Sequence, residues 1–162
     1  RGRVHQLHYA GRELTLIDDS YNASPASMQA ALEAAASYNA ENLLVIASDM
    51  LELGAAEVAE HRALATAIEI AKAKSVIGIG PLMQNCCQHL PEAISATHFA
   101  DEKAACAGFE KDLNAMIGAA DLILIKGSSG SGAHKINAYL LDRLNGKYNG
   151  PSTPKRGVYH AA

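Results

Sequence analysis

The sequence predicts an α/β domain with a mostly parallel sheet, helices on both faces and an N-terminal hairpin. Continuous apolar runs of strand length recur along it, as in "NLLVIA" (42–47), "SVIGIG" (75–80) and "DLILIKG" (121–127). Such runs are typical of strands that are buried on both sides. Segments with helical periodicity separate these runs, and strands that alternate with helices favour a parallel sheet.

The N-terminal part predicts a hairpin followed by a helix. Strand-like segments 4–9 and 13–17 flank the dipeptide Ala10-Gly11, which is a turn signal. In Ser24-Pro25, the serine suits a helix N-cap and the proline suits the first helical position. The alanine-rich segment that follows predicts a helix to about Tyr38.

The rest of the chain continues the alternation. Further helices are predicted over 55–73, 82–89, 101–117 and 134–145, with a brief strand at 97–100 and a Gly/Ser loop at 127–132. Right-handed crossovers place the strand-to-helix loops of such a sheet along one edge, where ligands usually bind. Residues 146–162 have no apolar period and several helix breakers, so we expect a flexible tail.

Composition limits the class of protein. A chain of 162 residues suits one compact domain, and 49% hydrophobic with 19% charged residues argues against wholesale disorder. The formal net charge of −3 gives no basic footprint for nucleic acid, and no apolar run approaches the roughly 20 residues of a membrane span. An odd number of cysteines, Cys86, Cys87 and Cys106, fits a reducing cytoplasm better than a disulfide framework.

The loop "DDSYNASP" (18–25) concentrates polar groups where a strand becomes a helix. Asp18 and Asp19 could accept hydrogen bonds from ribose hydroxyls, and the free N–H groups of the helix start could bind an anion. The alternative is that both aspartates are simple loop acids and that Ser24 only caps the helix.

A second loop, "IKGSSGSGAHK" (125–135), also follows a strand. Lys126 ends the strand, and the Gly/Ser stretch allows backbone amides to approach a phosphate or carboxylate closely. The lysine precedes the glycines, so the loop is not a P-loop. A plain connection is as good an interpretation of this loop as an anion site.

A metal site is not indicated. Glu57 and His61 share a helix face, but without H-E-x-x-H or an obvious third ligand a local hydrogen bond or ion pair is the better interpretation. Asp121 is interpreted as a helix-to-strand turn residue, and the spacing nominates no catalytic triad. We therefore assign no metal ligand and no catalytic residue.

Four segments together resemble a known family. They are "GR" (2–3), "LIDDSYNASPASMQAAL" (16–32), "DMLELGAAEVAEH" (49–61) and "LIKGS" (124–128). Their order and spacing are similar to those of the C-terminal domain of Mur ligases. The resemblance covers residues 1–145 and implies a Rossmann-like fold, with the N-terminal and central ATPase domains absent from this chain.

The resemblance also implies an activity. "DDSYNA-P" is most similar to family members that add D-alanyl-D-alanine to UDP-N-acetylmuramoyl-tripeptide in cytoplasmic peptidoglycan synthesis. In these ligases ATP phosphorylates the tripeptide carboxylate, and the dipeptide amine attacks the acyl phosphate. The expected cofactors are ATP and Mg²⁺, with Mg²⁺ held by the central domain. The expected partners are the two other domains and the two substrates, without nucleic acid or membrane, and the chain alone is expected to be inactive.

Individual roles follow from the matched motifs. The resemblance implies ATP binding by Arg3 and Asp19, with Asp19 rather than Asp18 facing the ribose. It implies substrate binding by Tyr21, Asn22, Ser24, Lys126 and Ser128. Two positions depart from the family: Ser129 stands where many relatives have arginine, and Ser48 replaces the glycine of the common "GDM". A bidentate contact is therefore not implied at Ser129.

Two alternative functions stay open. The domain could belong to another Mur or folylpolyglutamate-type amide ligase, although "DDSYNA" argues against a different added amino acid. It could also be a stand-alone nucleotide-binding module without catalysis, which the fold pattern alone would allow.

Overall fold

A computed structural model describes residues 2–145 and contains a six-stranded sheet. The strands are β1 (Arg3–Tyr9), β2 (Arg12–Asp19), β3 (Leu43–Ser48), β4 (Ser75–Ile79), β5 (Ser95–Phe99) and β6 (Leu122–Lys126). Their spatial order is β1-β2-β6-β3-β4-β5. Only the β1–β2 pair is antiparallel among these strands, which confirms the predicted mostly parallel sheet with an N-terminal hairpin.

Helices cover both faces of the sheet, as predicted. They are α1 (Pro25–Ala36), α2 (Glu57–Ile70), α3 (Met83–Cys87), α4 (Glu102–Lys111), α5 (Leu113–Ile117) and α6 (Ala133–Leu144), with 3₁₀ turns at Gly54–Ala56 and Ser129–Ser131. One core packs α1, α2 and α3 against one face, and a second core packs α4, α5 and α6 against the other. Alternation along β3 supplies both cores, because Val45 enters the first while Leu44 and Ile46 enter the second.

The hairpin turn is explained by its backbone. Ala10 and Gly11 both have positive φ, 51° and 80°, and Tyr9 pairs with Arg12 across the two-residue loop. Two successive left-handed residues form the turn that matches the twist of antiparallel strands. The predicted hairpin is thus confirmed.

One predicted helix is wrong, because 101–117 forms two helices rather than one. Asp112 leaves helical geometry, with φ −154° and ψ 81°, between α4 and α5. Its carboxylate accepts a hydrogen bond from Ala115 N at 2.9 Å and so caps α5. A short acidic side chain that can bond nearby backbone N–H groups favours a helix start over a helix interior.

Several predicted ends also shift. The second predicted helix stops at Ile70 rather than residue 73, where Lys72 takes φ 60° and Ala73 N donates to Ile68 O at 3.3 Å. This is a left-handed helix ending.

Asp121 is confirmed as a turn residue, since its carboxylate accepts hydrogen bonds from the backbone N–H groups of Glu41 and Asn42. The predicted tail, 146–162, lies outside the described residues.

Within residues 2–145, none of the helices has the length and apolar character that a membrane crossing requires.

Candidate functional site

Asp19 and Lys126 end two neighbouring parallel strands and are partners in the register of β2 and β6. Lys126 Nζ lies 2.8 Å from Asp19 Oδ2 and also donates to the backbone oxygen of Asn22 at 2.9 Å. The lysine side chain is 3% exposed, whereas the aspartate side chain is 30% exposed. The carboxylate therefore remains partly open to a ligand, while the ammonium is enclosed by protein acceptors.

This ion pair fixes the loop between β2 and α1. A buried ammonium is tolerated only where anionic or carbonyl oxygens replace its lost water. Asp19 supplies the charge and Asn22 supplies a second acceptor, three residues into the loop. The position of the loop relative to β6 consequently depends on Lys126.

The two aspartates of "DDSYNASP" have different surroundings. Asp18 Oδ1 accepts hydrogen bonds from Ser20 N at 3.1 Å and Ser20 Oγ at 2.6 Å, which makes it part of a local Asx turn. Asp19 makes its contact across strands instead. Tyr21, at the loop tip, is 82% exposed, and the Asn22 side chain accepts from Ala23 N at 2.8 Å.

Ser24 caps α1, as predicted. Its Oγ accepts from Ser27 N at 3.3 Å, and its own N–H donates to Ser27 Oγ at 2.8 Å. These two bonds form a capping box with Pro25 at the first helical position. The capping interpretation of Ser24 is confirmed, and its hydroxyl is engaged in the helix start.

Ser128 joins the Gly/Ser loop to the loop that follows β3. It is 6% exposed, its Oγ accepts from Leu51 N at 3.0 Å, and its backbone N–H donates to Asp49 O at 3.3 Å. A Cβ atom at Gly127 would lie 1.8 Å from Ser48 Oγ, so only glycine fits there. The Gly/Ser loop is therefore packed against the end of β3.

Asp49 connects β3 to the start of α3. Its carboxylate is buried and accepts from Met83 N at 2.8 Å and Leu82 N at 3.3 Å. Burial raises the pKa of Asp49, and the two backbone hydrogen bonds oppose that shift. Gly80 has φ 107° beside it, and a Cβ there would lie 2.5 Å from the carboxylate. Sequence reasoning missed this contact, although an acid directly after a buried strand was its signal.

His61 is fully buried and structural. Its Nε2 accepts from Met50 N at 2.9 Å, so the ring is neutral with its proton on Nδ1, which donates to the Glu57 carbonyl at 2.6 Å. The predicted local hydrogen bond is confirmed, with the backbone of Glu57 as partner. No group of three or more His, Cys, Asp or Glu side chains among residues 2–145 could hold a metal ion.

A cleft of about 1040 Å³ opens at this edge of the sheet. Five of the seven predicted site residues line it, namely Arg3, Asp19, Tyr21, Asn22 and Lys126. Ser24 and Ser128 do not line it. Two α6 residues, His134 and Asn137, complete one wall, and sequence reasoning missed both. Their spacing of three, just after the Gly/Ser loop, was the available signal.

The sequence of this chain matches a known family and its curated members. The family described as Mur ligase, glutamate ligase domain, matches residues 2–129. The UDP-N-acetylmuramoyl-tripeptide–D-alanyl-D-alanine ligase of Rickettsia prowazekii is 35% identical over 124 residues, which is 76% of this chain and 27% of that protein. The ligase of the same name from Bacillus subtilis is 33% identical over 135 residues, 80% of this chain and 28% of that protein.

Solved structures show the same fold. MurF from Acinetobacter baumannii superimposes with a TM-score of 0.68 at 24% identity, over 88% of this chain and 30% of that one. MurF ligase from Thermotoga maritima in complex with ADP gives 0.66 at 21% identity, over 91% of this chain and 32% of that one. This chain spans between a quarter and a third of the length of these relatives. On the match over residues 2–129, the chain belongs to the Mur ligase family, as its C-terminal, glutamate ligase domain.

Proposed function

We propose that this chain is the C-terminal domain of a cytoplasmic ATP-dependent ligase that adds D-alanyl-D-alanine to UDP-N-acetylmuramoyl-tripeptide in peptidoglycan synthesis. Curated relatives from four bacteria carry the name of that ligase. The structural observation that supports the proposal is the cleft, where the partly exposed Asp19 carboxylate lies beside the buried Lys126 ammonium.

The cleft suits a nucleotide by its charges. Asp19 offers a partly exposed carboxylate oxygen that can accept from ribose hydroxyls at the carboxyl end of a parallel strand. Arg3 begins β1 at the rim of the cleft, and its exposed guanidinium can attract a phosphate group. We assign ATP binding to these two residues.

Lys126 contributes to this site by positioning other residues. Its ammonium already has two acceptors and almost no exposure, so a direct substrate contact would require the Asp19 pair to open. We therefore assign to Lys126 the placement of Asp19 and its loop. Ser128 contributes in the same way through its bonds to the loop after β3.

Direct substrate contact is assigned to the exposed tip of the β2–α1 loop. Tyr21 is the most exposed large side chain there, and Asn22 lies beside it on the cleft. Ser24 supports the same loop as its helix cap. A neighbouring domain that closes over the cleft would contact Tyr21 and Asn22 first. Such closure is the usual way in which a mobile domain completes a binding site.

The Mg²⁺ expected for ATP chemistry is not assigned to this chain. Asp19 is paired with a lysine, Asp18 is engaged by Ser20, and residues 2–145 hold no cluster of three metal-binding side chains. These residues do not fit the ion. We place the metal and the P-loop on the central domain, outside this chain, and the domain boundary at residue 145.

Phosphate release by the full-length protein tests the proposal. With ATP and UDP-N-acetylmuramoyl-tripeptide present, D-alanyl-D-alanine should start release, while glutamate and diaminopimelate at equal concentration should not. Release with glutamate or diaminopimelate instead would assign the domain to a different amide ligase. No release with any of the three would contradict the ligase assignment, and micromolar ATP binding by this chain alone would then favour the binding module.

A further inference from the structure

Asn137 is a buried polar residue on the cleft wall that α6 provides. It is 7% exposed, and its Oδ1 has no hydrogen-bond partner among residues 2–145. A buried amide oxygen without a partner destabilises a folded protein, and such groups are rare. Its neighbours on α6, Ile136 and Leu140, pack in the apolar core. An apolar side chain could therefore fill position 137 without leaving an unpaired oxygen.

The unpaired amide belongs to the same cavity as the proposed ATP site. Asn137 follows His134 by three residues on α6, and both line the cleft together with Asp19 and Lys126. Asp19 and Lys126 lie at the strand ends, so α6 forms a separate wall of the cavity. A ligand seated against Asp19 therefore has Asn137 available as a second polar contact.

We propose that Asn137 is a ligand-binding residue that hydrogen-bonds an uncharged substrate group able to donate and accept, a ribose hydroxyl or a peptide amide. The inference rests on the proposed ligase function. The terminal torsion of asparagine is broad, so its amide can turn either the oxygen or the nitrogen toward the cleft. A bound ligand would then give the amide the partner that it lacks in the free protein.

The test is Asn137→Leu in the full-length ligase, with Asn145→Leu as the matched control. Asn145 lies exposed at the end of α6 and does not line the cleft. Losing one neutral hydrogen bond should raise one KM by about two- to tenfold with little change in kcat. A rise in the KM for ATP identifies a ribose hydroxyl, and a rise for the UDP-tripeptide or the dipeptide identifies a peptide amide.

Thermal unfolding separates binding from structure. Because leucine removes an unpaired buried oxygen, Asn137→Leu should unfold at the same or a higher temperature than the wild type. Unchanged KM values for all three substrates overturn the inference, and a lower melting temperature in that case would show that the amide is structural. An equal KM rise in Asn145→Leu also overturns it. A wild-type protein without turnover instead refutes the ligase function, and this inference falls with it.

Discussion

Replacing Lys126 by methionine removes the ammonium that holds the β2–α1 loop and keeps most of the buried stem. Nζ lies 2.8 Å from Asp19 Oδ2 and 2.9 Å from Asn22 O, and both contacts are lost. The remaining carboxylate is 30% exposed, so water can solvate it in part. We expect the variant to fold with a displaced loop and reduced stability.

The substitutions of Lys126 and Asp19 should reduce the free energy of unfolding by different amounts. Removing one partner of a buried ion pair costs about 3–5 kcal/mol when the remaining charge stays buried. For Lys126→Met we expect about 2–3 kcal/mol, the lower figure reflecting the exposure of Asp19. For Asp19→Asn we expect about 3–5 kcal/mol, because the stranded ammonium is only 3% exposed. The double variant should lose less than the sum of the two.

Urea unfolding of the wild type, both single variants and the double variant, followed by circular dichroism, measures these differences. The urea concentrations at the unfolding midpoints should fall in the variants. The slope of the unfolding free energy against urea should stay constant, so that the free energies can be compared. By melting temperature, 2–3 kcal/mol corresponds to a decrease of about 4–12 °C in a chain of this size. Single losses below about 1 kcal/mol that add in the double variant would show that the pair is not coupled, against this reasoning.

Two further predictions concern Asp49 and its neighbour Gly80. The folded pKa of Asp49 is raised above 3.8, so its contribution to stability is present below that pH and is lost as the pH rises through the folded pKa. As the pH rises above 3.8, wild-type stability should therefore fall relative to Asp49→Asn in urea unfolding. A difference that does not change with pH would contradict a raised pKa at Asp49. Gly80→Ala combines φ 107° with a Cβ 2.5 Å from the carboxylate and should cost more than about 2 kcal/mol. The control Gly11→Ala, with φ 80° in the hairpin turn and no atom within 4 Å of the added Cβ, should cost clearly less, and equal losses would exclude the clash as the cause.

Local features of the fold were predictable because their causes are local. The hairpin, the Ser24 cap and the buried strands depend on turn residues, a capping hydroxyl and hydrophobic periodicity within short segments. The break at Asp112 was also local, but the periodicity of 101–117 concealed it. Its capping side chain was the competing signal.

The contacts within the site were not predictable, because they depend on strand order. Placing β6 between β2 and β3 brings Lys126 to Asp19, which is 107 residues away in the sequence. The same order brings Ser128 to Leu51, 77 residues away. Periodicity identifies strands without ordering them. The family resemblance implied that Lys126 binds substrate, but it could not show that the ammonium is already paired. The unpaired oxygen of Asn137 was equally hidden, because spacing can place the residue on α6 but cannot show which hydrogen bonds its amide lacks.

The ATP dependence of phosphate release by the full-length protein tests most directly whether Asp19 binds the nucleotide and whether Lys126 positions Asp19. The KM for ATP should rise about tenfold in Asp19→Asn, as expected when a neutral amide oxygen replaces the charged acceptor of a hydrogen bond. The KM for ATP should also rise in Lys126→Met. The KM of the double variant should not exceed that of Asp19→Asn, because both substitutions affect the same contact between Asp19 and ATP. An unchanged KM for ATP in both folded single variants would contradict the account, since the pair would then serve the fold alone.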